Sequence, residues 1–156
     1  MNEELNALNK LADLFETETK KRSSKMYYIE AVYRKDIEYI EKTTALHFPL
    51  LNFEMQAEMD VENTLGNKDN ITATIRIYII FKAGQNNDIQ IGRIFKNKKS
   101  ILAVYSDIRS VLKENIQASG YWTQLTLSGS GKVELEGENN IYIGRYIDVD
   151  VNIRNV

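Results

Sequence analysis

The sequence predicts an α+β fold: a single domain spanning residues 1–156, in which an antiparallel or mixed β-sheet is flanked by an N-terminal helix and a second amphipathic helix. Three observations carry that expectation. Long runs in the middle and at the C-terminus alternate apolar and polar residues with period two, the pattern of strands with one buried face. Two other stretches repeat their apolar residues at helical spacing. No internal repeat or linker divides the chain, and strands that bury one face need helices to cover it. At 156 residues, 43% hydrophobic and 27% charged, the chain lies far from disordered compositions and is long enough for one core.

Leu5, Leu8, Ala12 and Phe15 recur at helical spacing among polar residues, so residues 3–19 read as an amphipathic helix. "KKRSSK" breaks it. "MYYIEAVY", Met26 to Tyr33, is rich in aromatic and β-branched residues and reads as a strand, although Met26, Ile29, Tyr33, Ile37 and Ile40 also fit one long helix. "RKDIEYIEKTTA" reads as a short helix with Asp36 as N-cap and Ile37 and Ile40 inward. The chain's one proline, Pro49, cannot donate to a sheet ladder and marks a strand start. From there Leu51, Phe53, Met55, Ala57, Met59 and Val61 alternate with Asn52, Glu54, Gln56, Glu58 and Asp60. After the turn "NTLGNKDN", Ile71, Ala73, Ile75, Ile77, Ile79 and Phe81 alternate in the same way, which makes an antiparallel pair.

Residues 83–99 form a long polar connection, and Ser100 is a good N-cap. Ile101, Val104, Tyr105, Ile108, Val111, Leu112 and Ile116 then define the clearest helix, which Gly120 can terminate. "YWTQLTL", a turn "SGSG" and "KVELEG" read as a hairpin with Leu125, Leu127, Val133 and Leu135 on one face. A last strand carries Ile141, Ile143, Ile147, Val149, Val151 and Ile153 in one phase.

The search for chemistry excludes more than it finds. A net charge of −2 with a pI near 5.5 gives no general reason to bind a polyanion. With no cysteine there is no disulfide scaffold, thiolate metal site or cysteine nucleophile. The acidic, amphipathic "MNEELNALNKLADLF" has neither the features of a secretion signal nor the length of apolar residues that a membrane span needs, which favours a soluble, unexported protein. The lone histidine, His47, has no second His or Cys to help it ligate a metal and no evident orienting partner, and reads as a bystander on the turn before Pro49. "SGSGK" fails as a phosphate loop, because Thr126 and Val133 stand where "GxxxxGK[ST]" needs Gly and Ser or Thr. Asp148 with Asp150, and Glu134 with Glu136, form an acidic polar face that either holds a divalent cation or is solvated or meets a partner, the blander option being favoured. No catalytic, cofactor-binding or metal-binding residue is nominated. "GRIFKNKK" sets Arg93, Lys96, Lys98 and Lys99 around Ile94 and Phe95, a mixture that could touch phosphates and stack a base; a surface loop is the favoured reading, with protein contact or pore lining next and nucleic-acid contact last. Arg145 lies in phase with Ile141, Ile143 and Ile147, where a buried guanidinium needs a partner. The expectation is that the strand projects beyond the core there and puts Arg145 near a subunit edge.

Taken whole, the order of elements resembles the tail-completion or tail-terminator proteins of tailed phages, including the Mu-like type found in prophages and contractile injection systems. The matching pieces are "ELNALNKLADLF", "YYIEAVY", "HFPLLNFEM", "TATIRIYIIFKAG", "ILAVYSDIRSVLKE" and "NNIYIGRYIDVDVNI". They cover nearly the whole chain in order, with Pro49 as a landmark and without a catalytic motif, while "MDVENTLGNKDN" departs from the family's pattern. The resemblance implies a non-enzymatic virion protein of the tail or neck, assembled in the host cytoplasm. It implies a homo-oligomeric ring, a hexamer by preference, that caps the tail tube and meets neck or head-completion proteins, with no cofactor, membrane or sequence-specific nucleic acid. Another head–tail connector, a tube or baseplate subunit, and a small non-catalytic binding module are the alternatives. The segments expected to make contacts are the 83–99 loop, with Arg93, Phe95, Lys96, Lys98 and Lys99, and the "SGSG" region, with Ser128, Ser130 and Lys132, together with Arg145.

Overall fold

The structure, a computed structural model, describes residues 3–21, 23, 26–42, 46–63, 69–82, 101–136 and 141–154. In chain order the elements are α1 (Glu3–Lys20), β1 (Ala31–Tyr33), α2 (Ile37–Lys42), β2 (Leu50–Asn63), β3 (Asp69–Lys82), α3 (Ile101–Glu114), β4 (Gln124–Glu136) and β5 (Ile141–Arg154). The strands form one mixed sheet ordered β1-β2-β3-β5-β4, in which β1 runs parallel to β2 and every other pair is antiparallel. This is the α+β arrangement that the alternating runs predict.

One face of the sheet carries the main core. Leu51, Phe53, Ala73, Ile75, Ile77, Ile79, Phe81, Ile143, Ile147, Val149, Val151 and Ile153 present alternate residues to α1 and α3. Ala7, Leu8, Leu11, Ala12 and Phe15 come down from α1, while Val104, Ile108, Val111 and Leu112 come from α3. Phe15 and Phe53 meet with ring centroids 5.4 Å apart. The buried stripe of α1 is therefore 7, 8, 11, 12 and 15, and Leu5, which also has helical spacing, is 48% exposed.

A second, smaller core lies on the opposite face at one end of the sheet. Ile40 of α2 packs there with Leu50, Tyr78, Ile80 and Tyr142, and Phe48 stacks on Tyr142 with centroids 5.1 Å apart. Because α2 covers this end, β2 is not buried on one face only: Leu50, Leu51, Asn52 and Phe53 are all buried in succession. Asn52 is satisfied by backbone, its Nδ2 donating to Lys35 O at 2.7 Å and its Oδ1 accepting from Lys35 N at 3.0 Å. The pairing of β2 with β3 also slips between Met55 and Met59, which the clean sequence alternation does not announce.

Three local expectations are corrected, and one is borne out. Residues 26–30 are not strand: Ile29 N bonds Met26 O at 3.1 Å in a turn that buries Met26 and Ile29, and only 31–33 pair with β2. Asp36 does hold the N-cap position of α2, its carbonyl accepting from Tyr39 N at 2.9 Å, and the first amide of the helix, Ile37 N, donates to Glu54 Oε2 of β2 at 2.7 Å. α3 ends at Glu114, where Asn115 Nδ2 donates to Val111 O at 2.8 Å, so Gly120 (φ +83°) serves the separate turn joining Ala118 to Trp122 and does not end the helix. Ser100 lies outside the described residues.

The third correction shapes the site. "SGSG" is not a turn, and 124–136 is one strand containing a bulge between Leu127 and Gly129. Directly opposed residues of an antiparallel pair share a face. Before the bulge, Leu125 and Leu127 oppose Val151 and Val149 on the helix-covered face. After it, Ser130, Lys132 and Glu134 oppose Ile147, Arg145 and Ile143 on that face, while Val133 and Leu135 pack against the opposite core. The extra residue moves every later side chain across the sheet.

Candidate contact site

The glycines that suggest a turn fit the strand for steric reasons. A Cβ on Gly131 would lie 2.6 Å from the Tyr146 ring, so the ring rests on bare backbone, and Gly129 adjoins the bulge. β4 is the outermost strand, bonded to β5 on one side, and among the described residues no strand pairs with its other edge. A 13-residue edge of this kind presents a row of backbone donors and acceptors to a neighbour.

Three of the sequence-predicted contact residues meet on the helix-covered side of this edge. Lys132 is exposed and opposes Arg145 in the ladder, and Arg145 Nη2 lies 3.4 Å from Ser130 Oγ. Arg145 does not sit on a projecting end, because β5 is an interior strand and buried Tyr142 and Ile143 precede it. Its guanidinium finds room beside the ring of Tyr105 on α3, 5.3 Å from the centroid, and Arg109 approaches the same ring at 5.9 Å. Arg145 Nε is buried without a hydrogen-bond partner among the described residues. Ser128 turns away at the bulge and donates to Asp150 Oδ1 at 3.1 Å on the other face. Arg93, Phe95, Lys96, Lys98 and Lys99 lie outside the described residues.

Between α3 and β4 the same edge opens into a groove of about 320 Å³ lined by Arg109, Leu112, Lys113, Ile116, Val149 and the β4 residues 124–127. Leu127 is 39% exposed and Ile116 46% exposed. The sequence reading misses this groove. It counts Ile116 as part of the inward helical stripe, but the helix stops short of it. The signal available was Arg109 and Lys113, spaced i, i+4 beside the apolar stripe.

The acidic pairs do not form one cluster. Asp148 accepts from Arg76 at both oxygens, at 2.8 and 3.0 Å, and this pairing holds the Arg76 guanidinium pKa above its ordinary value. Asp150 accepts from Thr74 Oγ1 at 2.7 Å, and Thr72 donates to Asn152 Oδ1 at 3.0 Å, so this part of the face is a ladder of paired polar groups. The bulge sends Glu134 to the other side of the sheet. Among the described residues no group of three or more His, Cys, Asp or Glu is placed to hold a metal ion. His47 is exposed, its backbone N 3.5 Å from Tyr33 Oη. Burial raises the Glu54 carboxyl above its ordinary value, and the Ile37 N–H opposes that rise. Burial and the neighbouring Asp107 likewise raise the Tyr28 hydroxyl, which bonds Asp107 Oδ2 at 3.3 Å within the core. Both groups are thereby engaged in packing: Glu54 caps a helix, and Tyr28 ties the turn at 26–28 to α3.

Comparison of the chain with protein-family models and with curated proteins finds no match. Among the described residues no helix is long and apolar enough to cross a membrane.

Proposed function

We propose that the chain is a non-catalytic structural subunit of a phage tail or phage-tail-like particle. In this reading it forms a cyclic homo-oligomer, a hexamer by preference, that caps the tail tube and joins it to the neck or head. The observation that carries the proposal is the open 13-residue edge of β4, with Ser130, Lys132 and Arg145 gathered beside it. An edge of this length is a hazard in a free protein and, in an assembly, a place where another component of the particle can join the sheet. The element order set out above supplies the particular kind of assembly. Electron microscopy of the protein mixed with its tail tubes tests the proposal: rings at tube ends are the expected result. Tails of normal length in a strain lacking the gene would refute the terminator role.

A further inference from the structure

The open edge and the groove coincide, and together they define what β4 can receive. We infer that β4 takes up an extended segment of a partner protein as a sixth strand, with apolar side chains in the α3–β4 groove and carboxylates at its flanks. This rests on the reading of β4 as the contact edge and names the chemistry of the segment that meets it.

Backbone pairing along β4 supplies affinity without sequence preference, and side chains at every second position of the added strand supply selectivity. Those that face α3 meet Leu112, Ile116, Leu125 and Leu127 in the groove. The charged groups that line the groove are of one sign, Arg109 and Lys113, and Lys132 and Arg145 continue along the same face before Glu134 follows farther from the groove. No carboxylate lines the groove, and among the described residues none of these four cations forms an ion pair. The complementary segment carries apolar residues at two alternate positions and acidic residues at the alternate positions on either side. The side chains facing the other way meet Thr126 and Gly129, which suits small polar residues. A second copy of this chain fits less well. Two β4 edges paired about Ser130 would bring Lys132 of each copy alongside Ser128 and the basic groove of the other, like charge toward like.

The test uses the full chain and a labelled peptide of the order glutamate, threonine, valine, threonine, valine, threonine, glutamate, followed by fluorescence anisotropy at low salt. Binding is expected, with chemical-shift changes confined to 109–116 and 124–132. The Arg109→Ala, Lys113→Ala double variant should weaken it about fivefold, the size expected for two exposed ion pairs. N-methylation of alternate peptide amides should weaken it about tenfold or more, since it removes the ladder donors. Equal binding of a peptide with lysine for glutamate, equal binding of the N-methylated peptide, or no binding of any of them overturns the inference. So does dimerisation that displaces the peptide and is broken by Leu127→Asp, which would make the occupant a second copy. Rings on tail tubes without peptide binding would overturn this inference alone, and peptide binding without rings would overturn the ring reading alone.

Discussion

Arg145→Leu separates a side chain kept for stability from one kept for contact. In the folded chain the guanidinium is half-buried on the helix-covered face between Ile143 and Ile147, and its Nε finds no hydrogen-bond partner among the described residues. Leaving a buried donor unsatisfied costs about 1–3 kcal/mol. Against that stand the contact with the Tyr105 ring, 5.3 Å away and worth about 0.5–1 kcal/mol, and a long 3.4 Å approach to Ser130 Oγ that contributes little. Leucine removes the orphan donor and adds apolar area beside Tyr105, so the variant should be more stable by roughly 1 kcal/mol. For a domain of this size that corresponds to a rise in Tm of about 2–4 °C. Urea and thermal unfolding, followed by the fluorescence of buried Trp122, measure it. The same variant should fail or weaken in ring formation on tubes. A loss of more than about 1 kcal/mol would show that Arg145 holds the fold, and the reasoning would be wrong.

Other substitutions probe other parts of the structure. A Cβ at Gly144 would overlap the Ile79 carbonyl oxygen in the neighbouring strand, so Gly144→Ala should lower stability by more than about 3 kcal/mol, seen as a large fall in Tm or as insoluble protein. Trp122 donates from Nε1 to Asn115 O at 3.0 Å, and Trp122→Phe should cost about 1–2 kcal/mol by losing that bond and leaving Asn115 O short of a donor, measured by near-ultraviolet dichroism during denaturation. Glu54 has a folded pKa above its ordinary 4.5, so its protonated form is favoured by folding. Its contribution is fully present below 4.5 and is lost as pH rises through the folded value. Urea midpoints should fall over that window in the wild type, and Glu54→Gln, which keeps an acceptor for Ile37 N–H, should flatten the fall.

The sequence makes the long elements legible because burial on one face writes itself as a period. β3 keeps that period up to Ile77 and β5 from Ile147 onward, and α3 keeps the helical one. What it hides are positions where two surfaces compete for one segment. Leu50 to Phe53 belong to two cores at once, so Asn52, polar and apparently outward, is buried against the Lys35 backbone. Met26 to Tyr28 have the composition of a strand, yet the core takes Met26 and Ile29 from a turn. Glycine in "SGSG" is read as a reversal of the chain, whereas Gly131 makes room for the Tyr146 ring. The contact site is half legible: Ser130, Lys132 and Arg145 do come together, but Ser128 leaves for the other face, and the groove beside them depends on where α3 stops.

The bulge in β4 has a consequence for how this chain tolerates change in length. Ordinary surface strands absorb an insertion or deletion near an end. Here the residues from Gly129 onward are read in a phase set by a single extra residue, much as codons are read in a frame. Removing Ser128 would carry Val133 and Leu135 to the helix-covered side and put Lys132 and Glu134 into the small core under Tyr142, while adding a residue would do the same from the other direction. Substitutions in "SGSG" are therefore local events, but a change of one in its length rewrites half the strand.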